Sequence, residues 1–551
     1  MAKVKQMKWW GWGEENKDFD HVKRPYFWDY VSQSIDIQET KITKTIDFNA
    51  IKIQDSLFGE KEFASFLNIF NKTQIKTDKL NRIEHAYGKS YRDLFRARNG
   101  KFNVIPDVVF YPKQSKQIQF LLKWAQEHNA IVIPFGGGSN IVGGVEFLNN
   151  KKMKISIDMK LMNKLLDLDR LSLQATFGAG ILGPELEAQL QNYDLTLGHF
   201  PDSFQFSTLG GWVATRSAGM QSDKYGKIED MVIGLKLITP EGEMEIRSTP
   251  KSSNGIDLKH MIIGSEGILG VISEITVKVH VRAVKRKIVG FFFPDFESGI
   301  KAMLKARREG VEPSLLRLND AEKTKMSLAF KEKSKPHKKV ISNLIKNYLG
   351  NVKRFDLDNI CMLLIGFEGQ KKSIEAEYAK AERIYKSFGA FPLGESVSLT
   401  FDETKFDFPY VRDFIMDRNC IADVSETATS WENLFYLYNK VLEGVKGLES
   451  QLKRKILISC HISHTYHTGA SLYFTWGTEA KNDHLKAYDL IKSKTEELFV
   501  KHGATVSHHH AVGYEHKKWL KDEVGELGIN AIKFLKKSVD KKSIMNPGKI
   551  L

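Results

Sequence analysis

Pro134-Phe135-Gly136-Gly137-Gly138-Ser139-Asn140 is the stretch on which the reading of this chain turns. The apolar run Ala130-Ile131-Val132-Ile133 stops at it, so a strand ending in a glycine loop is expected here. A backbone without side chains can bring its N–H groups close around phosphate oxygens. The spacing is not that of G-x-G-x-x-G, no helical pattern follows directly, and no Gly-Lys-Ser/Thr completes a P-loop. Taken alone, the segment would serve a tight turn needing positive φ equally well.

Working outward, Asp107-Val108-Val109-Phe110-Tyr111 is a short apolar run ended by Pro112, and Ile118 to His128 has helical spacing. The order is therefore strand, helix, strand, glycine loop. Downstream, β-rich runs at Ile155 to Asp158, Ser172 to Ala175, Val232 to Ile238 and Ile275 to Val279 alternate with helical stretches at Pro184 to Asn192 and Asn254 to His260. Two more glycine segments lie among them. Asp202-Ser203-Phe204-Gln205-Phe206-Ser207-Thr208-Leu209-Gly210-Gly211 runs on to Ala214-Thr215-Arg216-Ser217-Ala218-Gly219, and Gly264-Ser265-Glu266-Gly267-Ile268-Leu269-Gly270-Val271-Ile272 precedes the last strand. Such segments can lay backbone and hydroxyl donors along a planar ring and a diphosphate. After a break at Val281 to Arg286, strands are expected at Ile288 to Phe293, Ile360 to Phe367 and across Ile456 to Trp476, with helices between them. That pattern suggests a second domain with an antiparallel sheet of its own. The basic run Lys331 to Lys339 reads as a solvated loop.

The chain has 551 residues, 42% of them hydrophobic and 27% charged, which is ordinary globular composition and too long for one core. No period of ~20–50 residues is visible, which excludes a solenoid or propeller. Lys and Arg number 82 against 67 acidic residues, an excess of +15 that raises the prospect of an anionic partner. Nucleic acid is not expected, because the basic residues scatter and the aromatics do not interleave with a basic stripe. Cys361, Cys420 and Cys460 have no paired spacing, so neither a disulfide framework nor a zinc cluster is expected and a reducing compartment fits. No secretory signal, no spanning segment of ~20 apolar residues and no Ser-Lys-Leu ending is seen, so the expected location is cytoplasmic, with peripheral contact to a membrane. Trp9, Trp10 and Trp12 are expected to pack on the second domain.

In order and content the three glycine segments resemble the FAD-binding domain of the vanillyl-alcohol oxidase type flavoproteins. Further strings, among them Tyr87-Gly88-Lys89-Ser90-Tyr91, Tyr410-Val411-Arg412-Asp413, Thr465-Tyr466 and Ser507-His508-His509-His510-Ala511-Val512-Gly513, resemble the ether-lipid-forming branch of that family over nearly the whole chain. The fold this resemblance implies is α+β: a two-part FAD-binding domain of vanillyl-alcohol oxidase type plus a cap domain with an antiparallel sheet and helices. It divides the chain into an aromatic and helical extension (1–100), the FAD-binding domain (101–283), a substrate-binding cap (284–500) and a C-terminal segment returning to the flavin (501–551).

The resemblance further implies FAD set against Pro134, Phe135, Gly136, Gly137, Gly138, Ser139 and Asn140; against Asp202, Ser203, Ser207, Thr208, Gly210, Gly211, Thr215, Arg216, Ser217 and Ala218; and against Glu266, Gly267, Gly270, Val271 and Ile272. Some relatives attach FAD through a histidine where this chain has Gly138, so noncovalent FAD is expected. The implied reaction exchanges the acyl group of 1-acyl-dihydroxyacetone phosphate for a long-chain fatty alcohol through a covalent flavin N5 adduct without net redox. Its products are alkyl-dihydroxyacetone phosphate and a fatty acid. Tyr466, of lowered pKa, would be its general base and acid, His508, His509 and His510 its phosphate contacts and proton-transfer partners, and Arg412 and Arg317 its substrate contacts. An ion pair of Arg412 with Asp413 or Asp417 is the plainer alternative. No metal is expected, because three adjacent histidines on a strand alternate faces. An anionic membrane surface and a homodimer are the expected partners. Ala422-Asp423-Val424-Ser425-Glu426-Thr427 matches the family pattern imperfectly. The competing activity is an FAD-dependent D-2-hydroxy acid dehydrogenase; such enzymes carry a C-terminal Glu-His-Gly segment, which this chain lacks.

Overall fold

The computed structural model describes residues 7–331, 347–395 and 404–551; from residue 332 on, the basic run expected as a loop lies outside the described residues. The strand of the quoted segment, Ile131–Phe135, runs parallel to Lys154–Asp158, with Ile131 opposite Lys154 and Phe135 opposite Asp158. Val108–Phe110 lies parallel on the far side of that neighbour, and Ile75–Lys76 adds an antiparallel fourth strand. Buried parallel strands need cover, which the connecting helix Ser115–Glu127 supplies by burying Ile118, Leu121, Leu122 and Ala125 on one face. A second sheet of five antiparallel strands, in the order Leu165–Asp169, Gln174–Gly178, Val271–Lys278, Val232–Thr239, Gly242–Ile246, shares its core with the first.

Two expected elements begin later than the sequence suggested. The strand expected from Ser172 starts at Gln174, because the Asp169 carboxylate accepts from the amides of Leu171 and Ser172 at 2.9 Å each and Leu173 has a φ of 53°. The helix expected from Asn254 starts at Leu258, where Asp257 caps it by accepting from the His260 amide.

The expected second sheet is present, with seven strands. Their order is Phe391–Gly394, Lys285–Phe293, Cys361–Gly369, Leu315–Asn319, Ile456–Thr465, Gly469–Glu479, Cys420–Ser430, and every neighbouring pair is antiparallel. The apolar stretch across Ile456 to Trp476 is thus a hairpin turning at residues 466–468. Helices Phe296–Arg308, Lys371–Ser387, Trp431–Lys446 and His484–Lys501 bury their apolar faces against this cap sheet. The three cysteines are buried and free.

The N-terminal aromatics join the two halves. Met7, Trp12, Phe19 and Phe27 form one cluster with Phe206 of the second glycine segment and with Tyr410, Val411 and Phe414 of the helix Tyr410–Asp417. Trp9 differs from the expectation: it packs on Phe48 and Phe102, near its own end of the chain. Residues near the C-terminus return to the quoted strand, where the Val132 amide donates to Ile544 O and its carbonyl accepts from the Asn546 amide, both at 2.9 Å.

Phe414 sits at the centre of this joint. Its ring centroid lies 4.9 Å from that of Phe19 and 3.4 Å from the Arg418 guanidinium, and its burial is nearly complete. Phe414→Ala is therefore expected to cost about 3–5 kcal/mol of stability, read by urea unfolding of the purified protein. An unchanged midpoint would show that the joint carries little of the stability.

Candidate active site

A cavity of about 350 Å³ opens where the three glycine segments face the cap sheet. Every cofactor position expected from the sequence borders it except Arg216. That guanidinium donates to the carbonyls of Ile263 and His260 instead, tying the second glycine segment to the residues before the third. The first loop is pressed onto the second so closely that a Cβ on Gly137 would lie 1.6 Å from Phe206 O, and Gly138 takes a φ of 70°. Only glycine fits this approach. Among the described residues, the six amides from Gly136 to Ile141 donate no hydrogen bond within the chain. A run of free N–H groups with no side chain in the way suits the diphosphate of a dinucleotide, so the residues present fit FAD.

The opposite wall belongs to the cap. Arg317 projects from the strand Leu315–Asn319, with Asn319 Oδ1 and His461 Nδ1 each 3.4 Å from its guanidinium. Arg412 projects from the helix Tyr410–Asp417, and its Nε has no hydrogen-bond partner among the described residues. Its counter-ion is neither expected aspartate: Asp423 lies 3.8 Å away, while Asp413 accepts from the Trp12 amide and Asp417 pairs with Arg98.

The triple histidine is not on a strand, so its side chains do not alternate; residues 507–510 form a bent loop. The Tyr466 hydroxyl lies 2.5 Å from His508 Nε2, in hydrogen-bond contact, and His508 Nδ1 lies 2.9 Å from His509 Nδ1. His509 and His510 border the cavity, and Tyr466 and His508 adjoin them through these contacts. The convergence reopens the metal question, because His464, His508 and His509, and likewise Glu426, His509 and His510, each bring one ligand atom within 4.8 Å of the others. Burial favours the neutral forms of three of these imidazoles: it depresses His464 to about 3 and His508 and His510 well below the ordinary range. The lowered tyrosine pKa is not seen. Burial first, then Asp223 and Glu229, push the Tyr466 phenol upward, so it is a protonated donor at neutral pH.

Sequence reasoning missed what holds this loop. Glu426, fully buried on the cap strand Cys420–Ser430, accepts from the amides of His508, His509 and His510 at 2.9–3.0 Å and from the Ser507 hydroxyl at 2.7 Å. Burial opposes its charge, but His509, His510 and the other surrounding groups outweigh that and hold the carboxyl well below the usual range. Glu266, of the third glycine segment, does the same for the amides of Val512 and Gly513 at 2.8 Å, and burial pushes it up to about 7. Lys227 Nζ donates to His508 O at 2.7 Å, and Asp223 accepts from the Thr465 amide at 2.9 Å, fixing the start of the Tyr466 turn. A lone glutamate among small and hydroxyl residues at 422–427 was the one visible signal.

Glu426→Gln turns one of these acceptors into an NH2 that faces backbone N–H groups. A loss of about 2–5 kcal/mol is expected, together with faster amide exchange at residues 508–510, measured by urea unfolding and hydrogen exchange. Exchange as slow as in the parent protein would mean that other contacts hold the loop.

The geometry can be set beside known proteins. Residues 106–247 match the family described as FAD binding domain, and residues 283–550 the family described as FAD linked oxidases, C-terminal domain. The alkyldihydroxyacetonephosphate synthase of Dictyostelium discoideum is 38% identical, over 99% of this chain and 93% of that protein. A solved structure of an alkyldihydroxyacetonephosphate synthase superposes with a TM-score of 0.85 at 35% identity, covering 98% of each chain. The fold alone is shared with p-cresol methylhydroxylase, at a TM-score of 0.64 and 13% identity over 89% of this chain and 97% of that one. With matches of this length and identity, resting on the same glycine segments and cap that build the cavity, the chain belongs to the alkyldihydroxyacetonephosphate synthase family of FAD-binding enzymes.

Proposed function

We propose that this chain exchanges the acyl group of 1-acyl-dihydroxyacetone phosphate for a long-chain fatty alcohol, the ether-lipid-forming step for which its relatives are named. The observation that carries the reading is the hydrogen-bonded series Tyr466, His508, His509, which reaches a cavity at His509 that two arginines also border. Nearly full-length likeness to synthases supports it over a D-2-hydroxy acid dehydrogenase. Residues 101–283 would hold FAD, residues 284–500 the substrate, and residues 501–551 would close the site between them. Acyl chain and alcohol would enter along the apolar side of the cavity.

When bound, FAD supplies an electrophilic centre that can hold the substrate carbon while one group leaves and another enters, with no net redox change. FAD would be noncovalent, since Gly136 to Asn140 carry no nucleophilic histidine, cysteine or tyrosine. The chain's own residues move the proton. As the phenol oxygen of Tyr466 takes a proton from the carbon beside the ketone, its own proton passes to His508 Nε2, and the Nδ1 proton of His508 passes to His509 Nδ1. Glu426 Oε2, 3.3 Å from His509 Nδ1, stabilises the imidazolium formed there. The phenol need not ionise, which suits a tyrosine whose pKa is raised. The reverse transfer would return the proton to the departing carboxylate.

The first test is incubation of the flavin-loaded protein with palmitoyl-dihydroxyacetone phosphate and hexadecanol. Ether product and free palmitate are expected, with a fall of at least ~10²-fold in Tyr466→Phe at unchanged flavin content, and flavin released intact by acid. Dye reduction by D-2-hydroxy acids without ether product would make the protein a dehydrogenase.

Among the described residues, no helix is long and apolar enough to cross a membrane. The proposed contact is peripheral and lies on the helix Lys517–Val539. Leu527 and Phe534, 84% and 75% exposed, stand one above the other on its outer face beside Lys533 and Lys537. Binding to phosphatidylserine vesicles that weakens with salt is expected, and a drop of about tenfold in Leu527→Asp/Phe534→Asp. Equal binding by that variant would remove this surface from the proposal.

A further inference from the structure

Lys323 is unusual among the chain's lysines. It lies on the helix Ala321–Ala329 of the cap and is only 2% exposed. Its Nζ donates to Thr475 Oγ1 at 3.0 Å, touches Met326 Sδ at 3.6 Å and sits 4.4 Å from the ring centroid of Phe408. Among the described residues no carboxylate comes within 4.0 Å of it. A buried ammonium answered only by a hydroxyl, a thioether and a ring face is costly to the fold, and stability gives no reason for it.

Its surroundings supply one. Thr475 and Phe408, which Nζ contacts, both border that cavity, as do Arg317 and His461. Arg317 has only Asn319 Oδ1 and His461 Nδ1 beside its guanidinium and likewise lacks a carboxylate within ion-pairing distance. The nearby acids are otherwise engaged or few. Asp320 accepts from the amides of Lys323 and Cys460 and from the Tyr438 hydroxyl, and burial raises it to about 7; Asp202 faces Arg317 and Lys323 from the second glycine segment, and burial raises it too. Arg412, by contrast, has Asp423 as a counter-ion. This side of the cavity therefore carries the larger uncompensated positive charge.

Resting on the proposed reaction, we infer that Lys323 and Arg317 form the subsite for the phosphate of the dihydroxyacetone phosphate moiety, with Lys323 a positioning residue that acts through Thr475 and adds the second positive charge a dianion requires. Burial, then Arg317, holds the free Lys323 near a pKa of about 7, against the opposing pull of Asp320 and Asp202. At pH 8 the lysine is then largely neutral. A bound dianion favours its charged form, so binding takes up a proton.

The test uses the flavin-loaded protein and dihydroxyacetone phosphate itself, titrated by calorimetry at pH 8 in two buffers of different ionisation enthalpy. Proton uptake is expected with the parent protein. Lys323→Met should bind at least ~10-fold more weakly, without uptake, and raise the KM for acyl-dihydroxyacetone phosphate while leaving that for hexadecanol within about twofold. Lys323→Arg, always charged, should keep most of the affinity and lose the uptake, which a merely structural lysine would not do. Thermal unfolding of Lys323→Met no lower than the parent's is expected, because a buried amine without a carboxylate partner has been replaced by an apolar side chain; Lys323→Arg tests the same point should the Met variant fail to fold. Dihydroxyacetone phosphate binding that is equal in parent and Lys323→Met overturns the inference but not the reaction. A parent protein that makes no ether product and does not bind the probe overturns the proposed function, and this subsite with it.

Discussion

The Glu426 carboxylate, fully enclosed by the cap sheet, accepts three consecutive amides and a hydroxyl from the loop that carries the histidines. A carboxylate so enclosed would cost several kcal/mol without partners, and the loop has no sheet of its own to satisfy its amides. Each supplies what the other lacks. The loop's second half hangs on Glu266 in the same manner, from the opposite half of the molecule. Two acids from different parts of the chain thus fix one segment over one cavity, and the positions of His508, His509 and Tyr466 follow from them.

That arrangement also explains the electrostatics. Histidines packed among themselves and against the glycine segments cannot all be charged, so burial keeps most of them neutral and available to pass protons. The negative charge of Glu426 is in place before any proton arrives, which favours its arrival at His509. On the cap, Arg317 and Arg412 border the cavity and Lys323 lies close to it, so the side that carries Tyr466 and Glu426 also carries the cations.

Much of the fold was legible because its signals are local. The run ending at Pro134, the helix over 115–127 and the strands of the cap follow from apolar periodicity and from glycine at positions where only glycine fits. The glycine segments were legible as a set, and all but Arg216 of their expected residues reach the cavity; Arg216 was taken for a ligand contact because a guanidinium's partners cannot be read from its neighbours in sequence. The elements that started late did so through Asp169 and Asp257, whose side chains capture amides two or three residues on. Glu426 and Lys323 stayed hidden for a common reason: an ionisable residue within an element of mixed polarity is informative only once its burial and its distant partners are known. The Tyr466 phenol is raised first by burial and then by Asp223 and Glu229, which lie far from it in the chain.

One pairing bears on how the protein comes into being. Val132, in the strand that leads into the first glycine loop, exchanges hydrogen bonds with Ile544 and Asn546. On the ribosome that strand emerges early and then waits, its edge open, while nearly all the remaining chain is translated. Closing a loop of that size is slow, and an open edge invites pairing with other nascent chains. Capture of a nucleotide by the half-built glycine cradle during this interval would be weak, since Glu266 and the 507–513 segment are not yet joined. The pairing of the 131–135 edge with residues 544–546 thus joins two stretches that are far apart in the sequence, and the site they help to close needs both.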